Sequence, residues 1–281
     1  QHMRGNLHHT CPLDHRTPTQ WPEPPPGASA ITRKNNGRLC PAGITLYDSN
    51  RPMKPIADAL LYGILDLGYV DPQQLENTTA RLMEGGVDIL QLRAKGFEEV
   101  QIEEFARRIV PLTEEAGVPL ILNDFPELVP SVGAQGAHVG QDDFSVDDAR
   151  WRAGRALAGE VPLPIIGKST HSLDQALAAS QSGADYLGFG PLFATPTKPG
   201  RPAIGLADIR RVYEQIDRPV FCIGGIHREN LETVLDAGAQ RVVIVSGILK
   251  ASDITGYCRE VRAELAARHG RSAQQRPKPT A

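Results

Sequence analysis

Eight short apolar runs, each followed by a stretch with helical spacing, restrict what this chain can fold into more than any other feature of it. The runs are LLYGIL (60–65), VDILQL (87–92), VPLILN (118–123), GAHVG (136–140), LPIIGKS (163–169), DYLGFG (185–190), PVFCIGG (219–225) and RVVIVSG (241–247). Uninterrupted apolar runs of this length, bounded by Gly and Pro, suit strands buried on both faces, as in a parallel sheet. The segments between them carry helix signals. Asp71 and Pro72 form an N-cap and first turn, Leu75, Leu82 and Met83 share one face, and Gly85-Gly86 is a stop. A Ser172/Gln175 capping box starts another helix, with Leu173, Ala176 and Leu177 as its buried stripe and Gly183 as its end. The helix after the third run is short and poorly defined. Eight such alternations imply an α/β chain closed into a (β/α)8 TIM barrel. A doubly wound open sheet is the alternative topology, but no GxGxxG follows the first strand, which removes the usual dinucleotide reading.

The barrel is expected over residues 56–268. Residues 1–55 contain WPEPPPGAS and few aliphatic side chains, too little to offset chain entropy by burial. They read as a disordered or loosely attached extension, and residues 269–281 as a flexible C-terminal tail. The net charge of −3 gives no global attraction for nucleic acid, and no apolar run approaches the ~20 residues of a spanning helix. Neither nucleic acid nor membrane is therefore expected as a partner, while a homo-oligomer is left open. Cys11, Cys40, Cys222 and Cys258 form no CxxC pair and no zinc-ligand spacing. They read as reduced and non-catalytic, which suits a cytoplasmic chain.

In a barrel of this kind, chemistry belongs at the carboxyl ends of the strands. The second strand ends in QLRAK, which puts Gln91, Arg93 and Lys95 at alternate positions and hence on one face. Asn123 and Asp124 end the third strand; Gln141, Asp142 and Asp143 follow the fourth; Lys168, Ser169 and His171 follow the fifth; TPTK (195–198) trails the sixth. Gly224-Gly225 and Ser246-Gly247 end the seventh and eighth, where barrels of this type often bind phosphate through backbone N–H groups. Each of Asp124 and Asp143, taken alone, reads as a surface or capping aspartate, and Asp142 as a cap. Together on neighbouring strand ends, Asp124 and Asp143 suit one Mg²⁺, which takes few carboxylates and is completed by water and phosphate oxygens. Arg93, Lys95 and Lys198 around the same mouth add cations for a strongly anionic group, most simply a diphosphate. His171 has two readings, a proton carrier or a cap for the helix starting near Ser172. His138, inside a strand, reads as a hydrogen-bonded core residue, and His227 as part of a loop or helix start.

These residues, in this order, resemble the thiamine-phosphate synthase family. QLRAK, LND, GAHVGQDD, GKSTHS, GADYLGFGPLFATPTK, IGGI and VSGI occur in that family's order and spacing, over roughly Leu61 to Ala266. The resemblance implies a transferase that joins a pyrimidine diphosphate to a thiazole phosphate and releases pyrophosphate. It implies that Gln91, Arg93, Lys95, Asn123, Ser169 and Lys198 bind the pyrimidine diphosphate. Thr195, Thr197, Gly225, Val245 and Ser246 would bind the thiazole phosphate, and Asp124 and Asp143 would hold Mg²⁺. Lys198, Arg93 and Ser169 would act on the reacting diphosphate. The chain departs from the family's Asn-Asp-Arg at Asn123-Asp124-Phe125, which lowers the local positive charge. A thiazole phosphate tautomerase and a non-enzymatic phosphate-binding barrel are the competing functions.

Overall fold

A computed structural model of the chain describes residues 52–154, 163–195, 200 and 202–274, with side chains to 269. Its wall is built from β1 (Leu61–Asp66), β2 (Ile89–Arg93), β3 (Leu120–Asn123), β4 (Gly136–Val139), β5 (Ile165–Thr170), β6 (Tyr186–Phe189), β7 (Val220–Cys222) and β8 (Val242–Ile244). All neighbours are parallel, and the sheet closes on itself in sequence order. Closure is made by β1 against β8, with Leu61 opposite Val242 and Gly63 opposite Ile244. Each expected apolar run supplies one strand, and the β1–β8 pairing rules out an open sheet.

The strands alternate with helices α1 (Leu75–Glu84), α2 (Glu99–Ala116), α3 (Val129–Val132), α4 (Val146–Gly154), α5 (Leu173–Gln181), α6 (Ile209–Gln215), α7 (Arg228–Asp236), α8 (Ser246–Leu249) and α9 (Ile254–Gln274). α3 is a single turn, as the weak pattern there implies. Two helix starts differ in detail from expectation. Asp71 caps a 3-10 turn over Pro72–Gln74, accepting from Gln73 N–H at 2.8 Å, and α1 starts after it. Ser172 accepts from Gln175 N–H at 3.2 Å, but the Gln175 side chain accepts from His171 N–H and not from Ser172, so the capping box is shifted by one residue. α9 runs to Gln274, past the expected tail boundary, while residues 275–281 and 1–51 lie outside the described residues, as do Cys11 and Cys40. No described helix is long and apolar enough to cross a membrane.

Alternation along each strand divides the apolar side chains into two layers. Leu61 and Leu65 belong to the outer layer that packs against helices. Tyr62 and Ile64 point inward and join Ile89, Ile121, Tyr186, Phe221 and Val243 in the lumen. Tyr62, Tyr186 and Phe221 meet edge to face, with centroids 5.5–5.7 Å apart, a favoured aromatic geometry. Gly167 on β5 makes room for them: a Cβ there would fall 2.1 Å from Tyr186 Cζ. Cys222 and Cys258 are buried free thiols, and burial pushes each pKa up to about 12, so neither is a ready nucleophile.

At the amino-terminal end of the wall, one carboxylate ties three parts of the chain together. Asp88 is fully buried. It accepts from Leu60 N–H at 2.8 Å and Leu61 N–H at 3.0 Å, and it pairs with Arg262 of α9 at 2.9 Å and with Lys54. Removing it strands two backbone donors and a guanidinium. Each backbone donor left buried without an acceptor costs about 1–3 kcal/mol, so Asp88→Ala is expected to lower the unfolding free energy by about 2–6 kcal/mol. Arg262→Ala, which leaves Lys54 and both N–H groups in place, should cost clearly less. Urea titration of the two variants checks this, and equal losses would contradict it.

Candidate active site

A cleft at the carboxyl ends of the strands brings together Gln91, Arg93, Asn123, Ser169, Thr195, Gly225, Val245 and Ser246, eight of the expected site residues. Thr197 and Lys198 lie outside the described residues. The three alternate residues of β2 divide their work by depth. Gln91, at 2% exposure, reaches into the lumen and donates from Nε2 to Tyr62 Oη at 2.8 Å. Arg93 lies at the cleft wall. Lys95 extends beyond the strand to Asp124, 3.2 Å away.

Arg93 is held by a group that the sequence pattern does not single out. Its Nη1 donates to Asp66 Oδ2 at 2.7 Å, directly across the β1–β2 register. Asp66 is buried and also accepts from Gly68 N–H at 2.9 Å. The Arg93 Nε is buried and has no hydrogen-bond partner among the described residues. A buried donor left in this state costs about 1–3 kcal/mol, and an anionic ligand would remove that cost. Asp66 is recognisable in the sequence only as the carboxylate ending the first apolar run, because its partner is set by sheet register.

The two aspartates expected to share a cation stand side by side. Burial raises the Asp124 pKa, Lys95 opposes that shift, and Asp143, within hydrogen-bonding reach, adds to it. Asp124 has φ 67°, a left-handed conformation that Asp tolerates better than most residues, and its N–H donates to His138 O at 2.9 Å. Asp143 Oδ2 accepts from Gly140 N–H at 2.6 Å. The loop that carries it is pinned by Lys168, which donates to Gly140 O at 2.6 Å and Phe144 O at 2.9 Å, and by Gln141, which donates to Ser169 O. Burial lowers the Lys168 pKa, against the pull of Asp143 and Asp142. Asp142 does not cap α4; Ser145 does, accepting from Asp148 N–H at 3.0 Å. Two hard carboxylates held together against their repulsion fit a divalent cation such as Mg²⁺. No group of three or more His, Cys, Asp or Glu suited to a metal occurs among the described residues. Phe125, where the family pattern has Arg, packs against the apolar core.

On β7 and β8 the wall is backbone-rich. Gly224 and Gly225 have φ 98° and 64°. A Cβ on Gly224 would come within 2.4 Å of Pro191 Cα, and one on Gly225 within 2.7 Å of Phe193 Cβ, so only glycine fits both shape and conformation. Ser246 starts α8, the short extra helix after the eighth strand.

His171 Nδ1 bonds Gly190 O and the residue lines the cleft, while the side-chain cap of α5 comes from Ser172. His227 is the N-cap residue of α7, in a capping box with Asn230. His138 is a hydrogen-bonded strand residue, as its sequence position implies, but it also lines the cleft beside Tyr62.

Comparison with known proteins gives a consistent picture. The profile of a family described as thiamine monophosphate synthase matches residues 61–248. A thiamine-phosphate synthase of Thermus thermophilus is 44% identical over 188 residues, covering 66% of this chain and 87% of that protein. Thiamine-phosphate synthase of Chloroflexus aurantiacus is 39% identical over 209 residues, covering 74% and 93%. Among solved structures, a thiamine phosphate pyrophosphorylase from Pyrococcus furiosus superposes with a TM-score of 0.65 at 29% identity, covering 75% of this chain and 96% of that one.

The raised pKa of Asp124 has a consequence for stability. A carboxyl whose folded pKa lies above its unfolded value costs stability once ionised, and the cost fades as pH falls toward the ordinary carboxylate range. Asn accepts the same left-handed backbone. Asp124→Asn is therefore expected to raise the melting temperature of the cation-free protein at pH 7. The gain should shrink at acid pH. Thermal scans at both pH values check this, and a lower melting temperature at pH 7 would refute it.

Proposed function

The chain belongs to the thiamine monophosphate synthase family, and from that footing we propose that it joins 4-amino-2-methyl-5-hydroxymethylpyrimidine diphosphate to a thiazole phosphate, giving thiamine phosphate and pyrophosphate. The observation that carries this reading is the Arg93 Nε, buried without a partner among the described residues at a cleft that Gly225, Val245 and Ser246 also line. In this reading the arginine serves a diphosphate and the backbone-rich ends of β7 and β8 a monophosphate.

In this reading Arg93, oriented by Asp66, binds the diphosphate together with Lys95 and the Ser169 hydroxyl. Gln91 and Asn123 orient the pyrimidine beside it. Lys198 takes up charge on the departing pyrophosphate. A Mg²⁺ ion held by Asp124 and Asp143 supplies further neutralisation of that group when bound. The carbon–oxygen bond to the diphosphate breaks with its electron pair leaving on pyrophosphate. The electron-rich aminopyrimidine supports the methylene cation, and the thiazole nitrogen supplies the pair for the new carbon–nitrogen bond. Thr195, Thr197, Gly225, Val245 and Ser246 hold the thiazole phosphate close enough for that attack. The reaction needs no protein nucleophile, which agrees with two buried cysteines whose thiols resist ionisation.

Mixing the protein with both substrates should release pyrophosphate only when Mg²⁺ is present. Isomerisation of the thiazole phosphate without metal would instead indicate a tautomerase, and binding without turnover a sensor. Lys198→Ala is expected to lower kcat by about 10²–10³-fold with little change in KM for the thiazole phosphate. Equal losses in both parameters would remove Lys198 from the leaving-group role.

A further inference from the structure

A polar chain crosses the floor of the cleft, and the synthase reaction as derived uses only its two ends. Gln91 Nε2 donates to Tyr62 Oη at 2.8 Å. The Tyr62 and Tyr186 hydroxyls are 2.9 Å apart, Tyr186 Oη lies 3.1 Å from His138 Nδ1, and His138 Nε2 lies 2.9 Å from Ser169 Oγ. Five side chains from β2, β1, β6, β4 and β5 thus form one continuous line through the barrel, and both ends, Gln91 and Ser169, face the cleft. Tyr62 and Tyr186 are fully buried, and burial raises both phenol pKa values, so each keeps one proton to donate.

Proton counting gives the line a direction. Tyr62 accepts a hydrogen from Gln91, and Tyr186 is its one other hydrogen-bond partner among the described residues, so the Tyr62 proton is satisfied only by donation to Tyr186. Tyr186 in turn donates to His138 Nδ1, which makes that nitrogen an acceptor and puts the ring proton on Nε2. The Nε2–H donates to Ser169 Oγ, and the Ser169 proton is left for the cleft. The opposite order would require the Gln91 amide to turn over. It would also commit the Ser169 proton to His138 and present serine lone pairs to any anion, a mismatched contact.

We propose that His138, Tyr186 and Tyr62 are positioning residues that polarise this line from Gln91 to Ser169. Ser169 then presents O–H, and Gln91 its amide oxygen, to the bound ligand. The ligand must place an acceptor atom at Ser169 and a donor group at Gln91. That last requirement rests on the function proposed above; the proton order does not.

The direct test is ¹⁵N NMR of the full chain labelled at histidine, with the His138 signals assigned by their loss in His138→Asn. The expected result at neutral pH is a neutral ring with a pyrrole-type Nε2 and a pyridine-type Nδ1. In Tyr186→Phe, which keeps the ring and removes the donor to Nδ1, the Nδ1–H form should gain population. A resting Nδ1–H ring or an imidazolium would overturn the proposal, whatever the protein catalyses. A second measurement uses turnover. Tyr186→Phe should lower kcat/KM for the diphosphate substrate by about 2- to 10-fold, the range of one lost neutral hydrogen bond. The same change made in a Ser169→Ala background should have no further effect, because both changes act on one line. KM for the thiazole phosphate should not move. An equal loss in both backgrounds would show that Tyr186 acts only through packing. Failure of the synthase reading alone would leave the tautomer result standing, so the two claims can fail separately.

Discussion

Closure of a parallel wall is the constraint on which everything else in this molecule depends. Once β1 pairs with β8, with Leu61 opposite Val242, all eight strands end on one rim. Gln91 and Ser246, far apart in the chain, then line one cleft. No single segment could supply this set, because each strand contributes only the few side chains at its tip. Chemistry is spread over eight connections, and the hydrogen-bonded wall fixes their mutual positions.

The same closure creates a difficulty in the lumen. Tyr62 and Tyr186 fill space there that Phe221 fills without polar atoms, and their hydroxyls cannot reach bulk water. Buried polar groups of this kind are stabilising only when every one finds a partner. Here the partners are one another, then Gln91 and His138, so the packing of the core and the polarity of the cleft floor depend on the same atoms. Asp66 and Arg93 follow a similar logic at the rim. A buried carboxylate holds a guanidinium in place and leaves one of its donors without a partner among the described residues.

Much of this is legible in the sequence. The eight strands are visible because doubly buried strands read as unbroken apolar runs, and alternation with helices makes closure the natural inference. Asp124 and Asp143 can be paired in advance because neighbouring strand tips must be close. What cannot be read are partners set by register or by depth in the lumen. Asp66 looks like the ordinary end of a strand until it faces Arg93 across the β1–β2 pair. Tyr62 and Tyr186 look like core aromatics, since a one-dimensional pattern gives the face of a residue but not what its hydroxyl meets. His171 reads as a proton carrier or a cap, and its bond to Gly190 O depends on where β6 ends relative to β5. Gln175 caps a neighbouring residue because a flexible amide has several N–H groups within reach.

Asp88 also bears on how the gene for such a barrel could be rearranged. Lys54, just before the first strand, and Arg262, in the last helix, converge on this one carboxylate. The approach to the first strand and the middle of the last helix are thus near neighbours, the kind of closeness that circular permutation exploits. A linker from the part of α9 beside Asp88 back to Lys54, with new termini cut into a loop on the amino-terminal face, would preserve the strand order around the ring and leave the catalytic rim with its connections intact.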